Sequence, residues 1–300
     1  MGRRHGRTPS TCSGCSTART KRQLDLTNPA TIRAIARRFG IRFQRRWGQN
    51  FLADRGQLDR IVEALALERH DQVVEVGAGI GTLTVELAKH AASVAAIEID
   101  PACIRALRLT LRDNPNTQIV EGNVLDIEAA SLVDGPYRVA GNIPYNLTGA
   151  LLVHLLEQPR PPARIDLLVQ QEVAERIAAP PGGWSLATLG VRVFGEPELV
   201  LRVPRTAFVP PPQVDSALLR IVPAAQPVLA RGDLKDFFTF VTPFFQVRRK
   251  QLPYTLVRQH GLNPAEARAR LGVIGIDPVR RPETLSLEEW RRLFESARRR

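Results

Sequence analysis

The chain has 300 residues, of which 42 are Lys or Arg and 30 are Asp or Glu, so its formal net charge is +12. This length is enough for one large or two smaller domains, and no apolar run approaches the roughly 20 residues of a membrane-spanning helix, so we expect no membrane association. The charge favours a polyanionic partner. A basic composition can equally belong to a merely soluble protein, or be an arginine-rich composition that results from GC-rich coding.

Residues 1–27 are basic and rich in Ser and Thr, and we predict a disordered tail there. The tail has no apolar stretch of the kind found in a secretory signal, although its composition also resembles that of a transit peptide. Cys12 and Cys15 have the spacing of metal ligands, but no second Cys/His pair follows, so we predict no metal site. With only Cys103 besides, the chain has no disulfide framework, and a cytoplasmic location is expected.

From residue 28 to residue 169, helical patterns alternate with short apolar strands. A helix is predicted after Asp54, which can cap its first turn. Strands are predicted at 73–76, 94–99, 118–120, 138–140 and 165–169. Alternating strands and helices are typical of an α/β fold, a Rossmann-like parallel sheet with right-handed crossovers.

The pattern changes after residue 199. Two strands separated by a Pro-rich turn predict a hairpin that adds an antiparallel strand to the sheet, and residues 224–231 are typical of a linker. Beyond them every element is helical: Asn263 and Pro264 begin one helix, and Ser286 with Glu289 forms a capping box at the last. We therefore predict an α/β domain at 28–223 and a small all-helical domain at 230–300.

Residues 75–81, Glu-Val-Gly-Ala-Gly-Ile-Gly, lie between a predicted strand and a helix. Glycines allow a ligand close to the backbone, and the N-terminus of a helix is polar and positive. Glu98 follows at the end of the next strand, where an acid suits the two hydroxyls of a ribose. The pattern predicts a nucleoside site, although a tight turn without ligand is possible and the pattern does not separate NAD from S-adenosylmethionine.

The tetrapeptide Asn-Ile-Pro-Tyr at 142–145 favours S-adenosylmethionine. It follows the fourth predicted parallel strand, at the edge of the sheet where such folds bind ligands. The Asn142 oxygen and a nearby carbonyl can accept both protons of an aromatic amine, which directs its lone pair towards a sulfonium methyl group. Tyr145 can stack on an extruded base, and Phe208, held by the prolines at 210–212, is a candidate for the other face. Each aromatic residue could instead belong to the core.

The combined motifs resemble those of the ribosomal RNA adenine N6-dimethyltransferases of the KsgA type, over about residues 45–293. The similar segments are 48–52 (Gly-Gln-Asn-Phe-Leu), 75–79, 142–146, 171–176 and 208–217. The C-terminal segments 248–250 and 283–289 are similar to the housekeeping branch rather than to the macrolide-resistance Erm enzymes, which act on large-subunit RNA.

The resemblance implies an S-adenosylmethionine-dependent enzyme that dimethylates two adjacent adenosines near the 3′ end of 16S rRNA, in a pre-30S particle and as a monomer. It implies cofactor contacts from Asn50, Leu52, Gly77, Glu98 and Asn142. Asn123 stands where the family usually has an aspartate for the cofactor adenine, and an amide oxygen can still accept from that amine. Residues 183–186, Gly-Trp-Ser-Leu, replace the usual Tyr-Gly-Arg-Leu-Ser, which leaves the substrate role of that loop open.

Four other functions are compatible with part of this pattern. They are an Erm-type methyltransferase acting on 23S rRNA, a DNA adenine methyltransferase, a non-catalytic RNA-binding assembly factor and an NAD-dependent oxidoreductase. A DNA enzyme would usually carry a larger recognition domain, and the intact Gly-rich loop argues against a non-catalytic factor. An oxidoreductase leaves residues 142–145 unexplained. The basic residues Arg248, Arg249 and Lys250 and the terminal arginines at 298–300 could bind phosphate, or could be solvated ends of helices.

Overall fold

The computed structural model describes residues 2, 24–43, 49–225, 228–247 and 249–298. Cys12, Cys15 and most of the predicted tail lie outside the described residues. At the end of the predicted tail, Leu26 and Thr27 are already buried, 7% exposed each, before the first helix begins. Ordered structure on the N-terminal side therefore includes at least these residues.

A seven-stranded sheet forms the centre of the molecule. The strands are β1 (Phe51–Leu52), β2 (Gln72–Val76), β3 (Ser93–Glu98), β4 (Thr117–Glu121), β5 (Arg138–Asn142), β6 (Arg164–Gln170), β7 (Gly195–Val203), β8 (Phe208–Val209) and β9 (Ser216–Pro223). The strand order in the central sheet is β4-β3-β2-β5-β6-β9-β7. Strands β2 to β6 pair in parallel, and β9 is antiparallel to both of its neighbours, which confirms the predicted parallel sheet and the late antiparallel strand.

The helices cover both faces of this sheet and then continue beyond it. Asn28, Asp54 and Asp100 each accept a hydrogen bond from the first turn of the helix that follows, as short polar residues at this position commonly do. The helices are α1 (Pro29–Phe39), α2 (Arg55–Leu65), α3 (Thr82–His90), α4 (Pro101–Thr110), α5 (Thr148–Glu157), α6 (Gln171–Ala178), α7 (Leu186–Arg192), α8 (Leu234–Gln246), α9 (Leu252–His260), α10 (Pro264–Val273) and α11 (Leu287–Arg298).

The apolar strands are buried on both faces, as expected for a parallel sheet covered by helices. Successive residues of a strand point to opposite faces, and β2 shows this: Val74 and Val76 belong to the cluster under α5 to α7, while Val73 packs with α2 and α3 on the other face. The sheet thus lies between two layers of helices. The predicted functional residues lie at the edge formed by the carboxyl ends of its parallel strands.

The C-terminal helices share this core. Phe237, Phe244, Trp290 and Leu293 belong to the same buried cluster as the strand residue Leu167, and the rings of Phe244 and Trp290 are 5.2 Å apart, edge to face. The predicted capping box at the start of α11 is formed, with reciprocal hydrogen bonds between Ser286 and Glu289. Helices α8 to α11 therefore pack against the α/β part through a continuous apolar interior.

In the described part of the chain, no helix combines the length and the apolar character needed to cross a membrane.

Candidate active site

The Gly-rich loop lies directly beside the end of β5. Gly77, which follows β2, has φ of +74°, and a Cβ atom there would lie 3.2 Å from the carbonyl oxygen of Asn142. The N–H groups of Gly77 and Ala78 both donate to the carbonyl of Ile97 at the end of β3. Glycine is favoured at 77 both by this left-handed backbone and by the close approach of the two loops.

Glu98 is fixed at the next strand end by main-chain groups. Its Oε2 accepts from the Gly79 N–H over 2.7 Å, and its Oε1 accepts from the N–H groups of Ile99 and Asp100 over 2.9 and 2.8 Å. Burial raises the pKa of the Glu98 carboxyl, and these three N–H groups offset part of that rise. Oε1 uses both of its lone pairs in this way, whereas Oε2 keeps further acceptor capacity, which ribose hydroxyls can use.

Asn142 is oriented by the segment that precedes β1. Its side-chain amide donates to the carbonyl of Asn50 over 2.9 Å, which leaves its Oδ1 as an acceptor at the end of β5. The neighbouring Gln49 donates to Asp100 over 2.5 Å, and Asp100 in turn caps α4. The segment at 49–52 is thereby joined to the ends of β3 and β5.

A cavity of about 220 Å³ lies between these strand ends. All six predicted cofactor residues line it: Asn50, Leu52, Gly77, Glu98, Asn123 and Asn142. The sequence interpretation missed other lining residues, among them Ile99, Val124 and Leu147. Ile99 is 50% exposed although apolar, and its place directly after the acid at a strand end was a usable signal.

Asn123 lines the cavity while its amide serves two local hydrogen bonds. Its Oδ1 accepts from the Leu125 N–H over 3.2 Å, and its Nδ2 donates to Asp126 over 3.1 Å. The amide oxygen retains a second lone pair for a donor in the cavity. The bond to Asp126 is one that an aspartate at this position could not make.

Glu75 is the most deeply buried acid at the cavity, only 1% exposed. Its pKa is raised to about 8, mainly by burial and also by the nearby Glu98 carboxyl, while the Thr84 hydroxyl offsets part of this rise. Within the described residues its Oε2 has no hydrogen-bond partner. The cavity therefore presents two acids and no base among its lining residues, which suits a ligand that carries positive charge.

The two predicted aromatic residues are less accessible than the sequence interpretation required. Tyr145 is half-buried, its hydroxyl lies 2.7 Å from the Ser216 hydroxyl, and burial raises its pKa. Phe208 is 2% exposed, does not line the cavity and packs in the apolar cluster with Leu52, its pairing partner across β1 and β8. The structure therefore places Phe208 in the core rather than on an open face.

The loop at residues 183–186, whose sequence departs from the one usual in the family named above, has a structural role. Trp184 is buried, and its Nε1 donates to the carbonyl of Ala179 over 2.9 Å. Ser185 forms a capping box with Thr188 at the start of α7. The N–H groups of Gly182 and Trp184 donate to the carbonyl of Glu283, so this loop joins the α/β part to the C-terminal helices.

The basic clusters at the C-terminal end differ in their contacts. Arg249 and Lys250 are exposed, whereas Arg248 and the last two arginines lie outside the described residues. Arg298 forms an ion pair with Asp233 and lies over the ring of Phe294, so it stabilises the helical part. No group of three or more His, Cys, Asp or Glu residues that could hold a metal ion occurs in the ranges that the structure describes.

Comparison with known proteins matches this geometry to one family. The sequence model of the family described as ribosomal RNA adenine dimethylase matches residues 40–299. A protein named ribosomal RNA small subunit methyltransferase A from Pelotomaculum thermopropionicum is 40% identical over 287 residues, covering 90% of this chain and 97% of its own. The protein of that name from Enterococcus faecalis is 37% identical, covering 90% and 95%.

Solved structures give the same result. The 23S rRNA methyltransferase ErmE is 32% identical with a TM-score of 0.68, and the match covers 83% of this chain and 100% of ErmE. A dimethyladenosine transferase from Plasmodium falciparum is 25% identical with a TM-score of 0.69, covering 80% and 94%. With the sheet, the Gly-rich loop and the Asn-Ile-Pro-Tyr turn in place, the chain belongs to the ribosomal RNA adenine dimethylase family.

Proposed function

We propose that this enzyme transfers methyl groups from S-adenosylmethionine to the N6 amine of two adjacent adenosines near the 3′ end of 16S rRNA, twice on each. It acts as a monomer in the cytoplasm, on a pre-30S particle. The observation that carries the proposal is the orientation of Asn142, whose side-chain N–H is held by Asn50 and whose oxygen is left to accept at the cavity.

The cavity suits this cofactor. When bound, S-adenosylmethionine supplies a methyl group on a positively charged sulfur. Glu98 gives the cavity the opposite charge. A cationic ligand favours the ionised form of the Glu75 carboxyl, whose unpartnered Oε2 is a buried acceptor that such a ligand can satisfy. Glu98 accepts from ribose hydroxyls, Asn123 accepts from the adenine amine, and Asn50, Leu52 and Gly77 complete the walls.

The reaction requires an amine lone pair that is free of the aromatic ring. The Asn142 oxygen accepts a hydrogen bond from one N6–H, and a main-chain carbonyl of the same turn accepts a hydrogen bond from the other. These two bonds direct the nitrogen lone pair at the methyl group. Pro144 has no N–H, so it does not compete for these acceptors. Tyr145 supports the target base, and Phe208 holds the wall behind it. The chemistry rests on preorganised acceptors, which act most strongly where water is excluded.

The chain's charge fits an RNA partner. The net charge is +12, and Arg249 and Lys250 are exposed beyond the α/β part. Arginine and lysine contacts to phosphates supply most of the sequence-independent affinity for a nucleic acid. A small-subunit RNA is favoured over the 23S RNA named for ErmE because the relatives that share 37–40% identity with this chain are named small-subunit methyltransferases.

The decisive experiment incubates the protein with isotope-labelled S-adenosylmethionine and unmethylated pre-30S particles, then maps modified nucleosides by mass spectrometry. We expect N6,N6-dimethyladenosine at two adjacent positions near the 3′ end of 16S rRNA. Parallel reactions with 23S rRNA and duplex DNA serve as controls. Label on 23S rRNA or DNA alone would overturn the proposed substrate, and binding of cofactor without transfer to any of them would refute the enzymatic role.

A further inference from the structure

Helix α1 exposes an arginine face. Arg33, Arg37 and Arg38 lie on the outside of the helix, and Arg42 lies three residues beyond its last residue. All four side chains are exposed. Residues 28–43 contain no acid. Arginine in a last turn suits the helix dipole, which explains Arg37 and Arg38, but Arg33 lies one turn earlier and Arg42 lies beyond the helix. We call these four residues the arginine face.

The arginine face is not neutralised by the protein. Across the residues that the structure describes, none of its four members forms a salt bridge, whereas exposed arginines elsewhere do, such as Arg291 with Glu288 and Glu295. Arg105 of α4 lies beside it and donates to the carbonyl of Phe39 over 3.0 Å, which adds a fifth positive charge. Arg38 also lies over the ring of Phe39, 5.4 Å from its centroid, which leaves its charge without an acidic partner. A set of exposed guanidinium groups that form no ion pair is a surface for polyanions.

The arginine face lies next to the cavity. The opposite side of α1, including Ile32 and Ile35, is buried in the cluster that contains Leu107 of α4. Just past Arg42, the ring of Phe43 packs edge to face on Phe51, with centroids 5.9 Å apart, and Phe51 lines the cavity. Phe43, the residue directly after Arg42, is thus in contact with the wall of the cavity.

We infer that the arginine face binds the phosphate backbone of the RNA that carries the target adenosine, next to the cavity. This inference rests on the proposed function. Arg33 and Arg37 are one helical turn apart, so both can reach one stretch of backbone, and the guanidinium fork fits phosphate oxygens bidentately. An anionic membrane fits less well, because the apolar side of α1 is buried in the protein and cannot insert into lipid.

The test compares two triple variants that remove equal charge. The first carries Arg33→Gln, Arg37→Gln and Arg42→Gln. The control carries Arg60→Gln, Arg69→Gln and Arg112→Gln, three exposed arginines outside the arginine face. Binding to 16S rRNA and to pre-30S particles is measured at several salt concentrations. Cofactor affinity by calorimetry and the thermal midpoint, expected to be unchanged, show that both variants are folded.

We expect the first variant to bind RNA at least about tenfold more weakly than the control. The slope of log affinity against log salt concentration should also be flatter by about two to three, because each lost phosphate contact releases about one counterion fewer. Equal affinity and slope for the two variants would overturn the inference. Binding to phosphatidylserine vesicles is measured in parallel, and a first variant that loses vesicle binding while its RNA binding is unchanged would overturn the inference as well. Wild-type protein that binds RNA through this face but methylates none would refute the proposed function and leave the arginine face standing.

Discussion

The side-chain amide of Asn142 donates to the main-chain carbonyl of Asn50, 92 residues earlier in the chain, over 2.9 Å. This bond fixes which end of the amide is available at the cavity. An asparagine free to rotate would present its N–H₂ group to the incoming amine about as readily as its oxygen, and two donors do not bind each other. Segment 49–52 therefore sets the orientation of a side chain that is far from it in sequence but in direct contact with it in the structure.

Replacing Asn142 by alanine should abolish most activity. We expect kcat to fall by at least about a hundredfold, the scale for losing one preorganised polar group, while the Kd of the cofactor changes much less. Single-turnover methyl transfer to pre-30S particles measures the first quantity and calorimetry the second. A correctly folded Asn142→Ala variant with near wild-type turnover would show that another group accepts the N6 proton.

Replacing Glu98 by alanine should act on cofactor binding. Hydrogen bonds to a charged acceptor contribute roughly 1.5–3 kcal/mol, so the Kd for S-adenosylmethionine should rise about tenfold or more. The same measurement on Glu121→Ala, an exposed acid at the end of the neighbouring strand, provides the control. Equal affinities for wild type and Glu98→Ala would mean that the ribose lies elsewhere.

Restoring the usual aspartate at position 123 should bring little benefit by itself. Asn123→Asp offers a charged acceptor to the cofactor adenine, but it places a second carboxylate about 3.1 Å from Asp126, where like charges repel. We expect a change in Kd below about threefold for Asn123→Asp, and a gain in affinity of about threefold for Asn123→Asp with Asp126→Asn. Tighter binding by the single variant would argue that Asp126 moves away when cofactor binds.

The buried Glu75 should make the unliganded protein less stable as pH rises. Its pKa is raised from 4.5 to about 8 by folding, so between these values the folded state binds more protons than the unfolded state. Stability from this group therefore falls as pH rises from about 4.5 to 8, and stays low above that. Glu75→Gln removes the ionisation, and its urea midpoint should exceed that of wild type by more at pH 8 than at pH 5. An equal difference at both values would exclude the raised pKa.

The C-terminal basic cluster should affect RNA binding alone. Replacing Arg248, Arg249 and Lys250 by alanine should weaken binding to pre-30S particles and flatten its dependence on salt, because each phosphate contact releases counterions. Cofactor affinity should stay constant, since the Gly-rich loop at Gly77 is in the α/β part. Parallel salt slopes with equal affinities, accompanied by a lower thermal midpoint, would assign these residues to helix stability instead.

Local patterns in the sequence were enough to predict that Gly77, Glu98 and Asn142 line one cavity, because the ends of their strands meet at one edge of any parallel sheet with this order. The positions of Asn50, Leu52 and Asn123 were predicted from the family resemblance instead. Phe208 could not be placed in this way. Its burial depends on the pairing of β8 with β1, more than 150 residues apart in sequence, which no local pattern reveals. The proline run after it predicted a stiff loop but not which side of that loop faces the interior.

Gly141 marks how closely the two halves of the active site are joined. In the sheet it pairs with Val76, and a Cβ atom at 141 would lie only 2.3 Å from the Val76 carbonyl oxygen. The next residue along the chain is Gly77 after β2 and Asn142 in β5. The spacing between the Gly-rich loop and the turn that begins at Asn142 is therefore set by the pairing of β2 with β5 rather than by side-chain packing. Surrounding side chains can be exchanged for others of similar volume without altering this spacing, whereas a single methyl group at position 141 would push the two strands apart.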